Sequence, residues 1–196
     1  MPNEPIHSHR KPDHPIHQLI LDRWSPRSLT GESIDDATIC SLFEAARWAP
    51  SSYNAQPWRF IYAKRDTGAF TVFVDLLIEF NRSWAVEASL LGVIAARTTF
   101  EHNNKPSHTY AFDAGAAWEN LALEACSRGL VVHGMEGFDY KKAKQALQIP
   151  DEFVVLAMFA VGKRAPKERL SVELQQKETP STRKKISEFA FEGHWK

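Results

Sequence analysis

Two cysteines in 196 residues set no disulfide framework. Cys40 and Cys126 stand far apart, each in an apolar helical context without CxxC spacing, and read as buried, reduced thiols of a cytoplasmic protein. Charge of one sign is missing as well. Lys plus Arg and Asp plus Glu both number 24, so no net field favours a nucleic acid or an acidic membrane face. The basic runs KKAK (141–144) and RKK (183–185) are short enough to be solvated surface. Long hydrophobic runs are absent; the longest, LLGVIAA at 90–96, suits a core element and falls short of a bilayer span. The opening stretch MPNEPIHSHRKPDHPIH lacks the apolar centre of a secretory signal. These absences predict a cytoplasmic protein without nucleic-acid or membrane partners.

Motifs that carry chemistry unaided are also missing. No GxGxxG follows a strand and no GxxxxGK[ST] occurs, which excludes a Rossmann pyrophosphate turn and a P-loop. Without GxSxG, Ser51 and Ser52 have no nucleophile-elbow context, and none of the eight histidines sits in a triad setting. The first 17 residues hold four prolines and four histidines, His7, His9, His14 and His17. A pliable arm does not hold ligands in a closed shell, so no metal is assigned. If the chain is an enzyme, a cofactor carries its chemistry, and no side chain is assigned as catalytic.

What is present is an ordinary globular composition, 43% apolar and 24% charged, long enough for one domain with a real core. We expect a flexible tail over 1–14 and a single α+β domain over 15–196, with neither repeats nor a linker. Helical signals follow Pro15, through IHQLILDR, and run from an N-cap at Ser33 to about Trp48. APSSYNAQP (49–57) is a loop by composition and WRFIYA (58–63) a strand. Residues 67–80 suit a helix, 88–100 a buried strand and 101–109 a surface loop. The clearest helix is 110–130, closed by Gly129 in the left-handed position. A strand ending in a glycine-punctuated turn over 130–139, an Asp139-capped helix and a buried strand over 153–162 complete the core. The polar remainder, 163–196, is expected to lie across a surface of this chain or of a partner.

Three loops are rich in hydrogen-bond donors. In R-W-S-P-R (23–27), Arg23, Ser25 and Arg27 offer two guanidiniums and a hydroxyl on a loop that Pro26 restricts. A phosphate suits such a fork, but two surface arginines paired with Asp22, Glu32 or Asp35 fit the spacing equally well. PSSYNAQPW (50–58) suits a polar planar edge, or simply a capped helix end and a turn. In HGMEGFD (133–139), Gly134 and Gly137 let backbone amides approach a ligand, as any strand-to-helix turn does.

Taken in order, R-W-S-P-R, A-P-S-S-x-N-x-Q-P-W-x-F, N-x-x-W-A (81–85) and G-M-E-G-F-D (134–139) resemble the FMN-dependent nitroreductase family, from about residue 15 to the C-terminus. The resemblance implies a central, mostly antiparallel sheet flanked by helices, an extended C-terminal segment and an intertwined homodimer with FMN at the subunit interface. Arg23, Trp24 and Ser25 match the loop that holds the phosphate and ribityl oxygens, and Arg27 a cationic position near N1 and the C2 carbonyl. Pro50, Ser51, Ser52 and Asn54 match the loop that reaches the flavin across the dimer. Asn81 matches a side chain on the pyrimidine edge. Gly134, Met135, Glu136 and Gly137 match the turn facing N5 and O4. Arg183, with Lys184 as a helper, resembles a C-terminal basic position that closes on the phosphate.

The activity so implied is ping-pong hydride transfer from NAD(P)H, through N5 of bound FMN, to a nitroaromatic, a quinone or a similar small planar acceptor. Within the same fold, a dehalogenase, a flavin-fragmenting enzyme or an unsaturated-bond reductase is an alternative. A flavin-binding or scavenging protein without turnover is another.

Overall fold

In the computed structural model, residues 6–195 are described; residues 1–5 of the expected N-terminal tail lie outside them. Four strands form one antiparallel sheet in the order β1-β2-β4-β3: β1 (Trp58–Lys64), β2 (Leu90–Arg97), β3 (Leu130–Met135) and β4 (Phe153–Lys163). Pairings run Trp58 to Ala96, Leu90 to Val161 and Leu130 to Lys163, with one register shift at Ile94/Ala95. The central strand β2 is buried from Leu90 to Ala96. A strand hidden on both faces carries a continuous apolar run, which is why LLGVIAA shows no alternation.

Among the described residues there are eight α-helices: α1 (Ile6–His9), α2 (Gln18–Asp22), α3 (Asp36–Arg47), α4 (Gly68–Val74), α5 (Glu79–Ala85), α6 (Tyr110–Ser127), α7 (Tyr140–Ala146) and α8 (Val172–Gln176). The core falls into two clusters. On one face α3 and α6 bury Leu42, Ala46, Ala117 and Leu121 against Ile94, Phe159 and Val161. On the other, Phe73, Leu77 and Trp84 from the α4–α5 region pack with Val93, Met158 and Leu174. Gly129, at φ +71°, ends α6 as its position predicts. Asp139 caps α7 by accepting from the Lys142 amide at 2.9 Å.

Three local expectations are corrected. Asp35, not Ser33, caps α3: its carboxylate accepts from both the amide and the hydroxyl of Thr38, at 2.8 Å each. Ser33 instead donates to Asp66. The helix expected over 67–80 breaks into α4 and α5, because the backbone between them pairs elsewhere. Leu76 O accepts from the Asp139 amide, Ile78 N donates to Gly137 O, and Leu77 bridges Phe138. Finally, the cysteines are free but not both hidden; Cys40 is exposed on α3 and Cys126 is half-buried.

Candidate functional site

The R-W-S-P-R loop leaves α2 and is fixed from three sides before any ligand is considered. From β3, His133 Nδ1 lies 3.0 Å from Pro26 O. Burial, with the nearby Arg27 charge assisting, pushes the imidazole pKa down to about 4, against the opposing pull of the Pro26 contact. The ring is therefore neutral at physiological pH and donates its Nδ1 proton to that carbonyl. From the C-terminal segment, the buried Glu178 carboxylate accepts from the amides of Arg27, at 2.9 Å, and Ser28, at 2.8 Å. From the stretch after β4, Ala165 N donates to Ser28 O, while Ser28 Oγ donates to Pro166 O at 2.6 Å.

The loop's two arginines point to different clefts. Arg23 lines a cavity of about 480 Å³ with Ile6, Asp22, Trp24, Cys126 and Arg164. Its Nε is 3.1 Å from Glu119 Oε1. Trp24 is buried, with the Arg164 guanidinium 4.8 Å above its ring. Arg27 lines a smaller cavity of about 170 Å³ with Trp84, Arg169, Ser171 and Leu174. Its guanidinium sits 5.8 Å from the Phe80 ring centre, and its Nε is buried without a hydrogen-bond partner among the described residues.

The end of β3 and the start of α5 join this loop. Asn81 is buried and donates from Nδ2 to Gly137 O at 3.0 Å. Trp84, one turn further on, lies 4.6 Å from the His133 ring. A Cβ on Gly137 would stand 2.6 Å from Asn81 Nδ2, so a side chain there would push Asn81 away. Met135 is buried in the sheet, whereas Gly134 and Glu136 are exposed. The 23–27 loop, Asn81 and the end of β3 are thus neighbours in one chain, with Arg23 and Trp24 turned to one cleft and Arg27 to another.

Pro50, Ser51, Ser52 and Asn54 are held elsewhere. Ser52 N donates to the buried Asp113 carboxylate of α6 at 3.1 Å, and Tyr53 meets Phe100 edge-on at 5.6 Å. Tyr53, Asn54 and Gln56 all have positive φ, between +46° and +54°. That conformation is tolerable for Asn and strained for the other two, and Ser51 Oγ supports it by accepting from Gln56 N at 3.0 Å. Tyr53 is 85% exposed, so the loop projects outward. Arg183 and Lys184 lie in the exposed C-terminal stretch, where Arg183 donates to Ser181 and Thr182.

Arg10 was not anticipated. Its Nη1 donates to Leu21 O at 2.9 Å and Arg23 O at 2.5 Å, tying the N-terminal segment to the loop. Burial lowers its pKa, and the charges of Arg183 and Arg23 lower it further. His133, Asp113 and Glu178 were missed too. Their partners lie 107, 61 and about 150 positions away, and no local pattern announces them.

The comparisons with known proteins agree on one family. The family model described as Nitroreductase family matches residues 20–77 and 79–163. A 15.4 kDa protein of Mycolicibacterium smegmatis is 34% identical over 148 residues, covering 70% of this chain and 97% of its own. A protein of Archaeoglobus fulgidus, assigned by name alone to the NADH dehydrogenase/NAD(P)H nitroreductases, is 29% identical over 74% of this chain and 83% of its own. A crystal structure described as an oxidoreductase containing FMN superposes with a TM-score of 0.92 at 40% identity, over 95% of this chain and 96% of that one. The α+β architecture, with its antiparallel sheet between helical layers, is therefore the nitroreductase fold. By the match along its sequence and the superposition of its sheet and helices, the chain belongs to the Nitroreductase family.

Proposed function

We propose that this protein is an FMN-dependent NAD(P)H oxidoreductase that reduces a nitroaromatic, a quinone or another planar acceptor, and that it works as a homodimer. The observation that carries the reading is the convergence of the 23–28 loop, Asn81 and the end of β3 around cationic groups with unused capacity. Arg10 and Arg23 place two cations beside the loop, with Glu119 against Arg23 as the carboxylate that a phosphate dianion would displace. The buried, unpartnered Arg27 Nε suits the polar edge of a flat ring. The residues present fit FMN.

In this reading Arg23 and Ser25 hold the phosphate and ribityl end, Trp24 packs beneath them, and Arg183 and Lys184 close over it. Arg27 and Asn81 serve the pyrimidine edge, and Gly134, Met135, Glu136 and Gly137 present the turn that would face N5 and O4. Pro50, Ser51, Ser52 and Asn54, which project outward in a single chain, complete the site of a partner copy. FMN, when bound, supplies hydride exchange between NAD(P)H and the acceptor. The chain contributes orientation and electrostatics. A guanidinium at the ring edge favours the reduced anion over the neutral oxidised ring, and the loop that carries it needs no rearrangement to do so. No proton-transfer side chain is required.

The test is anaerobic stopped-flow mixing of the FMN-loaded protein with NADH or NADPH. Rapid bleaching of the flavin band, then reoxidation by a nitroaromatic or a quinone, is expected. A bound flavin that neither nicotinamide reduces overturns the enzyme reading; protein that retains no added FMN overturns the cofactor itself.

A further inference from the structure

Glu178 lies two residues beyond the end of α8 and is 1% exposed. Its Oε1 accepts from Arg27 N at 2.9 Å and Ser28 N at 2.8 Å, and its Oε2 accepts from Arg27 N at 2.9 Å. A carboxylate so deeply buried is costly unless its oxygens are well satisfied, and here backbone amides satisfy them. The placement is specific in what it fixes. Glu178 binds the main chain of the residue whose guanidinium sits over Phe80, while its neighbour Lys177 reaches the same ring at 5.2 Å. Pro26 O and Ser28 O are already taken by His133 and Ala165. The carboxylate closes the remaining freedom between those two points. Position 178 also lies beyond the residues that the family pattern matches.

We propose that Glu178 is a positioning residue for Arg27: it fixes the backbone from which the guanidinium projects, and so sets the field at the flavin edge. This rests on the FMN reading above. Its sign separates it from a plain charge effect. Loosening Arg27 weakens stabilisation of the reduced anion and lowers the midpoint potential. Removing a nearby negative charge, by contrast, raises it.

The experiment compares wild type, Glu178→Gln, Glu178→Asp, Arg27→Ala and the Glu178→Gln/Arg27→Ala pair. Amide hydrogen exchange at Arg27 and Ser28 is measured in FMN-free protein, and the midpoint potential in loaded protein. Glu178→Gln is expected to speed exchange of these two amides at least tenfold. It should also reduce the preference for reduced over oxidised FMN about tenfold, which is ~30 mV for a two-electron couple. Glu178→Asp, which keeps the charge but shortens the reach, should act in the same direction and replaces the Gln variant if that one does not fold. In the Arg27→Ala background there is no guanidinium left to position, so the substitution should not lower the potential, and any remaining shift is the upward one of the lost charge. A raised potential in the Glu178→Gln single variant, an equal shift in both backgrounds, or unchanged exchange at Arg27 and Ser28 overturns the proposal. Failure of wild-type protein to bind FMN sinks the cofactor reading instead, and the exchange result separates the two.

Discussion

His133 Nδ1 meets the carbonyl oxygen of Pro26 at 3.0 Å, joining a sheet strand to a loop 107 positions earlier. The contact uses a neutral imidazole whose pKa, held down chiefly by burial, is about 4. An unfolded chain protonates the same ring near its ordinary value of 6.5. Below that value the unfolded state takes up a proton that the folded state refuses. The stability present above pH 6.5 is therefore lost as the pH falls towards 4.

That sign gives a measurable slope. Between pH 7 and pH 5 this single group should remove about 2 kcal/mol of unfolding free energy. Urea unfolding at the two pH values, in the parent and in His133→Asn, isolates it. The asparagine amide can still donate to Pro26 O but does not titrate, so the variant should lose correspondingly less. Equal losses in both proteins would mean that His133 is not the group responsible.

The two arginines of the loop should separate in function, because they line different cavities. Arg23→Ala is expected to weaken FMN binding by about 10- to 100-fold, the usual range for a charge-assisted hydrogen bond lost to a charged partner. Arg27→Ala should bind FMN more nearly like the parent but lower its midpoint potential, by ~30 mV for each tenfold change in relative affinity. Fluorescence titration and spectroelectrochemistry read the two effects. Parent-like affinity and potential in both variants would contradict the assigned roles.

Gly137 sits where a single methyl group is felt. A Cβ would lie 2.6 Å from Asn81 Nδ2 and 2.7 Å from Ile78 Cδ1. Gly137→Ala should destabilise the fold by about 1–3 kcal/mol through overpacking and displace Asn81 from its carbonyl partner. FMN affinity should fall with it. Denaturant unfolding and flavin titration test both parts, and an alanine variant unchanged in each would show that the turn has room to spare.

Oligomeric state tests the division of the site between copies. Ser52 is tied to Asp113 on α6, and the strained loop around it projects outward with Tyr53. Sedimentation velocity should find a dimer in FMN-loaded protein, and Asp113→Ala, which leaves the Ser52 amide without its acceptor, should weaken FMN binding. A monodisperse monomer that holds FMN tightly would contradict a shared site.

The elements legible in the sequence were those whose causes are local. The unbroken apolar run of β2, the left-handed glycine closing α6 and the aspartate heading α7 all act within a few residues. The donor-rich loops could be located for the same reason, since Pro, Ser, Asn and Gly mark turns wherever they cluster. By itself, however, the spacing of R-W-S-P-R left a phosphate cradle and surface ion pairs equally open; its combination with A-P-S-S-x-N-x-Q-P-W-x-F, supported by the two later motifs, pointed to a family. Residues 67–80 defeated a local reading because Leu76 and Ile78 pair with Asp139 and Gly137, some sixty positions on.

Tertiary structure alone decided what holds the site in place. Sequence determined the turns and strands, because backbone propensity and apolar patterning are properties of neighbouring residues. It was silent about His133 on Pro26, Asp113 on Ser52 and Glu178 on Arg27. Each is a hydrogen bond whose favourable geometry exists only after the sheet and helices have packed, and a buried polar side chain has no periodicity by which to be recognised.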